Sequence, residues 1–432
     1  MLILQKNVSF SSKPYGQKSV ILLFVIFAFF ILAFYENMLN FNLYTLIYGM
    51  LVLCFIIVFP FVLRKTYKKS CPMLTNTMFL LLALGFTVLQ RLEPSLALRQ
   101  LFFASLGLVA SLFIPLILRI FKQFEKLELL YIALCIFLLS MVSLADILGA
   151  FFNIPIVTVD QFGATRAIQI AGITVQTSEF VKPIFVIYLS SAFRLKPNAK
   201  KLIVVSLLSA VLIGILVLQR DLGKALMFFV IFITMLYAAT GNKFLVSLGL
   251  LAISGASVIA YQLFAHLRVR VFAWQNPWQD ITGMGWQAVQ SLFAIGTFGA
   301  FGAGLSRGLP DRIPVVERDF IFSAITEEFG WLFAVLLIGA YGLILVRGID
   351  IAKKSKRPLY ALMSLGFTIF LVFQAFVTIS GNINFIPMTG ITLPFVSYGG
   401  SSVFISIIMI GVLNWLNGQL NTNEEIQDEE IL

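Results

Sequence analysis

In a chain of 432 residues, 59% hydrophobic and only 12% charged, with a mean hydropathy of +0.96, composition excludes a soluble globular protein, in which roughly a quarter of the residues are charged. The formal net charge of +11 does not point to nucleic acid, because the basic residues fall in short connections between apolar runs, where membrane orientation requires them. The three cysteines, Cys54, Cys71 and Cys135, lie in or beside apolar segments without metal-ligand spacing, so neither a disulfide framework nor a zinc site is implied.

Apolar runs long enough to cross a bilayer core as helices are expected near residues 19–40, 42–63, 73–90, 98–118, 127–150, 178–194, 202–219, 222–240, 244–264, 320–346, 359–380 and 402–418. The fold class is therefore an all-α polytopic membrane protein of about twelve spans. The first run is followed at once by the second and has no small-residue cleavage pattern, so it reads as a retained helix and not as a signal peptide. Basic residues alternate sharply between connections. Lys6, Lys13 and Lys18 precede the first span, Arg64, Lys65, Lys68 and Lys69 follow the second, and Arg119, Lys122 and Lys126 follow the fourth. The series continues with Arg194, Lys196, Lys200 and Lys201, then Lys243, then Arg347, Lys353, Lys354, Lys356 and Arg357. The positive-inside rule places these connections and both termini in the cytoplasm. The acidic tail from Glu424 to Glu430 reads as a solvated cytoplasmic end.

One long polar interruption, Arg268 to Phe322, falls on the opposite, extracellular side, before the tenth run. Connections of this length are usually functional or disordered, and Trp274, Trp278, Trp286 and repeated Phe argue against disorder. Within it Asp280 follows Trp-Gln-Asn-Pro-Trp-Gln, where Pro277 breaks a helix and the tryptophans suit the headgroup level. A carboxylate anchored there can take a proton from a hydroxyl held at the membrane surface; a solvated loop aspartate is the plainer alternative. Gly296, Gly299, Gly302, Gly304 and Gly308 follow no strand, so close packing or a re-entrant turn fits them better than a phosphate cradle. His266 is the only histidine and has no Cys or acidic residue at ligand spacing, which removes a histidine triad and a zinc site.

Two charge clusters stand at the ends of apolar runs. Glu179 and Lys182 are three residues apart and share a helix face; charges at membrane depth mark a functional site unless they form a plain interfacial ion pair with a snorkelling Lys182. Arg220 and Asp221 form the second cluster, for which a short turn with helix-end charges is the alternative.

Read together, five stretches resemble the SEDS proteins (shape, elongation, division and sporulation), the RodA/FtsW group. They are Gly163–Lys182 (GATRAIQIAGITVQTSEFVK), Gln219–Leu226 (QRDLGKAL), Asn276–Ser291 (NPWQDITGMGWQAVQS), Arg318–Gly330 (RDFIFSAITEEFG) and Gly381–Ser402 (GNINFIPMTGITLPFVSYGGSS). The chain departs from the usual family pattern at Ala167, Thr177, Arg220, Ile313, Val315 and Arg318, and keeps Asp280, Glu179, Lys182 and Asp221.

The resemblance implies a ten-helix polymerase core over residues 73–418 with its catalytic loop at 265–320, preceded by residues 1–72 with two additional helices and followed by the tail 419–432. It implies a peptidoglycan glycosyltransferase that polymerises lipid II outside the bacterial cytoplasmic membrane, for elongation, division or sporulation, beside a class B penicillin-binding protein that cross-links the glycan. Asp280 falls on the family's essential acid and is assigned as general base. Glu179 and Lys182 are expected in the same cavity, with Gln176, Ser178, Asp221, Gln287, Ser291 and Asp319. Ser397, Tyr398, Gly399, Gly400 and Ser401 are expected to shape its wall, with a tight turn capping the last helix as the alternative. Arg166, Arg220 and a divalent cation are the candidates for neutralising pyrophosphate; no other cofactor is evident. A lipid II flippase and a non-catalytic scaffold for the penicillin-binding protein are the rival functions.

Overall fold

The computed structural model describes residues 15–35, 42–67, 69–120, 126–152, 157–159, 165–170, 173–283 and 285–429. The first part of the N-terminal segment and residues 430–432 of the acidic tail lie outside the described residues.

Helices start where the sequence supplies a cap or a proline. Helix α1 (Tyr15–Tyr35) leads to α2 (Leu43–Thr66), whose N-cap Asn42 accepts from Thr45 N at 3.2 Å. Proline opens α3 (Pro72–Leu92) and α4 (Pro94–Leu112), where its missing N–H is no loss. The short α5 (Ile114–Ile120) continues α4, and α6 (Glu128–Phe152) follows.

The connection after α6 holds an antiparallel sheet of β1 (Val157–Val159), β2 (Thr165–Ile170) and β3 (Ile173–Val175) in the order β1-β2-β3. Then come α7 (Thr177–Phe193), α8 (Ala199–Leu218), α9 (Leu222–Thr240) and α10 (Lys243–Leu263). The polar interruption folds as α11 (Ala265–Gln275), α12 (Trp286–Thr297) and a single 3-10 turn, Pro310–Arg312. The chain ends with α13 (Ile321–Lys354), α14 (Pro358–Asn382) and α15 (Gly400–Glu429).

Among the described residues, 11 helices are long and apolar enough to cross a membrane. Helix α7, counted as a span in the sequence, has 17 residues and carries Glu179 and Lys182 in its first turns. Between apolar helices in lipid, packing comes from close approach more than from water exclusion. Gly85 of α3 shows this: a Cβ there would stand 2.7 Å from Val396 O and 2.8 Å from Phe395 O, so only glycine lets α3 lie against the segment before α15. Helices α3, α14 and α15 form the buried centre, whereas α10 has no buried residue.

Candidate active site

Four charged side chains meet where the N-termini of α7 and α9 come together. Lys182 Nζ lies 2.6 Å from Glu179 Oε2, and Lys224 Nζ lies 3.8 Å from Glu179 Oε1 and 3.3 Å from Asp221 Oδ2. All four are buried, from 1% exposure at Lys182 to 7% at Asp221. Two carboxylates balance two ammonium groups, which makes such burial tolerable. Polar neighbours complete the set: Lys224 Nζ donates to Ser178 Oγ at 2.6 Å and Gln176 Oε1 at 3.2 Å, and Lys182 Nζ donates to Gln374 Oε1 at 2.8 Å. Asp221 also caps α9 by accepting from Lys224 N at 3.3 Å.

Gln374 of α14 joins the quartet to the segment between α14 and α15. Its Nε2 donates to Thr392 O at 2.8 Å and Ser402 Oγ at 3.3 Å, and Thr392 Oγ1 donates to Ser402 Oγ at 3.2 Å. The segment is internally fixed: Leu393 N donates to Ser397 Oγ at 2.9 Å, while Gln100 of α4 donates to Ser397 O at 2.9 Å and accepts from Gly399 N at 3.2 Å. Its other side faces α9, where a Cβ on Gly223 would stand 3.0 Å from Thr389 Cβ.

The same segment holds the Asp280 bend. Trp274 Nε1 donates to Asn384 O at 3.0 Å, Asn384 Nδ2 returns a bond to Trp274 O at 3.1 Å, and Arg270 donates to Thr389 O at 3.3 Å. Asn384 sits at φ 57°, a left-handed position that asparagine tolerates. Asp280 follows on a bend and is half-exposed. Its carbonyl accepts from Gly285 N at 3.0 Å, and its carboxylate lies over Gly283, in the space that any larger residue would fill. Trp278 packs edge-on against Phe293 of α12, with ring centroids 5.7 Å apart.

The structure thus brings Glu179, Lys182, Asp221, Gln176 and Ser178 into one cluster, and Ser397 and Gly399 onto Gln100 beside it. Ser291 is buried instead of open: it shares a 2.6 Å hydrogen bond with Ser323 and donates to Asn382 O at 2.7 Å. Asn382 Nδ2 in turn donates to Asp319 O at 2.7 Å, so these positions tie α12 and α13 to α14. Gln287 is exposed on α12. Tyr398 donates its N–H to Glu317 O at 2.8 Å and lies under the Arg318 guanidinium at 5.5 Å, Gly400 admits the Phe103 ring, and Ser401 is half-buried in the first turn of α15. Arg220 takes a φ of 61° at the turn before α9, and Arg166 lies in β2.

Sequence reasoning passed over Lys224 and Gln374. Lys224 had a signal: Asp221 and Lys224 repeat the three-residue spacing of Glu179 and Lys182 at the start of the next helix but one. Gln374 had none beyond being an amide in an apolar run. Among the described residues no group of three or more His, Cys, Asp or Glu is placed to hold a metal ion.

Comparison with known proteins bears on the whole arrangement. The family model described as Cell cycle protein, for FtsW, RodA and SpoVE, matches residues 73–422. The peptidoglycan glycosyltransferase RodA of Mycobacterium tuberculosis (strain ATCC 25618 / H37Rv) is 28% identical over 378 residues, covering 81% of this chain and 78% of that protein. The probable peptidoglycan glycosyltransferase FtsW of Trichlorobacter lovleyi (strain ATCC BAA-1151 / DSM 17278 / SZ) is 32% identical over 326 residues, covering 73% of this chain and 81% of that protein. A solved structure described as structural coordination of polymerization and crosslinking by a peptidoglycan synthase complex matches with a TM-score of 0.67 at 25% identity, over 81% of this chain and 98% of that one. The Rod shape determining protein RodA of Thermus thermophilus has the same fold, with a TM-score of 0.55 at 24% identity over 81% and 96%. Because the match runs from the first turn of α3 into α15, across the quartet, the Asp280 bend and the segment between them, the chain belongs to the FtsW, RodA and SpoVE family of cell cycle proteins.

Proposed function

We propose that this protein is a peptidoglycan glycosyltransferase that extends glycan strands from lipid II at the outer face of the cytoplasmic membrane, with both termini inside. The observation that carries the reading is the setting of Asp280. Its carboxylate is half-exposed on a bend that Trp274, Asn384, Arg270 and Thr389 fasten to the segment reaching the buried quartet. In the reaction a sugar hydroxyl attacks the anomeric carbon of the lipid-linked donor, the bond to undecaprenyl pyrophosphate breaks, and Asp280 takes the hydroxyl proton. Pyrophosphate is a good leaving group, so one base suffices, where a hydrolytic glycosidase uses two carboxylates.

Glu179, Lys182, Asp221 and Lys224 form a neutral, hydrogen-bonded floor that fixes the neighbouring wall before substrate arrives. Arg166 and Arg220 are assigned to the pyrophosphate. A divalent cation there would take its ligands largely from the lipid phosphates, as magnesium does in many phosphate sites. The partner assigned to this core, residues 73–418, is a class B penicillin-binding protein; the related synthase complex, in which polymerization and crosslinking are coordinated, supports that choice.

The test is polymerisation of lipid II by purified protein, with and without a cognate class B penicillin-binding protein, comparing wild type with Asp280→Asn. Wild type is expected to make polymer and the folded variant to make none. Equal polymer from both removes Asp280 as the base. No polymer from either, with lipid II crossing vesicle bilayers instead, replaces the polymerase by a flippase.

A further inference from the structure

Helix α13 is interrupted in a specific way. In a continuous α-helix the amides of Trp331 and Leu332 would donate to the carbonyls of Glu327 and Glu328, four residues back. Gly330, at φ 81° and ψ 168°, turns the chain out of the helical region between them. Trp331 N instead donates to Gly299 O and Leu332 N to Ala300 O, each at 3.3 Å. The two carbonyls left behind accept from the other limb of the same loop turn, Glu327 O from Ala303 N at 2.8 Å and Glu328 O from Gly304 N at 2.9 Å. Residues 299–304 are therefore threaded into an opened helix, and these two amides and two carbonyls are satisfied by the insertion.

The insertion bears on the Asp280 loop. Glu327 Oε1 accepts from Leu309 N at 2.8 Å, and Arg91 of α3 reaches Glu328 at 3.4 Å and Asp311 at 3.6 Å. Beyond these, Ile313, Val316, Phe320 and Ala324 pack with Ala294 of α12, the helix that follows the Asp280 bend. Helix α1, which precedes the residues matched by the family model, also reaches α13 beside the opening. Phe24 lies 6.3 Å, centroid to centroid, from both Phe329 and Phe333, which stack on each other at 4.9 Å on either side of Gly330. Helix α1 is itself seated: Asn76 of α3 donates to Gln17 at 3.0 Å, and Val25, Phe29 and Leu32 are buried.

We propose that the opened helix is a two-position latch on the Asp280 loop and that Phe24 is the positioning residue that keeps it open. The alternative position is the straight helix, in which Trp331 and Leu332 bond to Glu327 and Glu328 and residues 299–304 are released. Glycine at 330 permits both positions, because it adopts the open conformation, which other residues essentially never do, and the helical one equally. The aromatic brace from α1 packs on the two rings that flank Gly330, so α1 sets how firmly the loop is held. Only the activity arm of the test below rests on the proposed glycosyl transfer.

The experiment is amide hydrogen exchange on the full chain in detergent, read in peptides covering 299–311 and 327–336, for wild type, Phe24→Ala, Gly330→Ala and the control Leu23→Ala, whose side chain is 66% exposed. In Phe24→Ala the amides of Ala303 and Gly304 are expected to exchange about tenfold faster, corresponding to about 1.4 kcal/mol, while those of Trp331 and Leu332 stay protected because the helix closes over them. Gly330→Ala, whose Cβ would run into Ala300 O, gives the same asymmetric pattern more strongly, and Leu23→Ala matches wild type. Equal loss of protection in both peptides overturns the latch in favour of general loosening, and an unchanged 299–311 peptide in Phe24→Ala overturns the role of Phe24. In polymerisation assays Phe24→Ala lowers kcat with KM for lipid II unchanged; a fall in folded yield with unchanged kcat assigns Phe24 to stability alone. Absence of polymer from wild type defeats the proposed reaction and leaves the exchange arms decisive for the latch.

Discussion

Replacing Lys224 by Met tests whether the buried quartet is held by charge balance. The change removes an ammonium that lies 3.3 Å from Asp221 and 3.8 Å from Glu179 and donates to Ser178 and Gln176. Two carboxylates then face one ammonium. Removing one partner of a buried pair costs about 3–5 kcal/mol. Lys182 still neutralises Glu179 at 2.6 Å, so the uncompensated charge falls on Asp221, and the expected cost is at the lower end, about 3 kcal/mol. That is about two orders of magnitude in the folding equilibrium. The companion variant Asp221→Asn/Lys224→Met removes both charges, and Asn keeps the oxygen that caps α9. It is expected within about 1 kcal/mol of wild type, since a removed pair often costs little. Unfolding of wild type and both variants in an SDS titration from mild detergent gives the comparison. A double variant no more stable than the single one would refute charge balance and assign the loss to packing of the lysine stem.

Three further outcomes follow from the geometry. Asn382→Ala removes donors to Asp319 O and Thr378 O and an acceptor for Ser323 inside the bundle, and is expected to lose about 2–3 kcal/mol in the same titration. Lys201→Ala breaks a 3.0 Å pair with Glu128 whose side chains are each 34% exposed, and is expected to cost under about 1 kcal/mol, less still in high salt. If a cation assists at the lipid pyrophosphate, EDTA lowers the polymerisation rate and added magnesium or manganese restores it; an unaltered rate in chelator removes the cation from the mechanism.

Helix positions were legible because spans are written in one dimension. The run at residues 222–240 is helix α9 to the residue, since Asp221 caps it and Gly241 ends it in the left-handed conformation. The run expected at residues 19–40 is helix at Tyr15–Tyr35, as apolar character alone does not mark a terminus. The sheet after α6 falls between the apolar runs expected near 127–150 and 178–194, where the β-branched clusters at Val157–Val159 and Ile173–Val175 are its strand signals. The partnership of Lys182 with Gln374 spans 192 positions, and nothing local to either residue announces it. The glycine pattern of the loop pointed to close packing, and Gly302 and Gly330 supply it, but their partnership depends on a backbone conformation that the sequence does not display.

A proton acceptor has to be reachable by the hydroxyl that it serves, and this condition sets aside the buried acids Glu179, Asp221, Glu327 and Glu328. Glu179 and Asp221 are buried against lysines, Glu328 is buried against Arg91, and Glu327 accepts from the amide of Leu309. Asp311 and Glu317 pair with Arg91 and Arg318. Glu179 through Lys224 and Glu328 through Arg91 hold two helices together, Glu327 holds α13 to the loop at Leu309 and Asp311 holds that loop to α3, so protonating them during a catalytic cycle would loosen the framework that positions substrate. Asp280 stands half-exposed on a bend that receives the main-chain bond from Gly285, next to the ties of Trp274 and Arg270. A base held on a bend fixed in this way needs little reorganisation when charge moves, and this is where electrostatic preorganisation contributes most to rate.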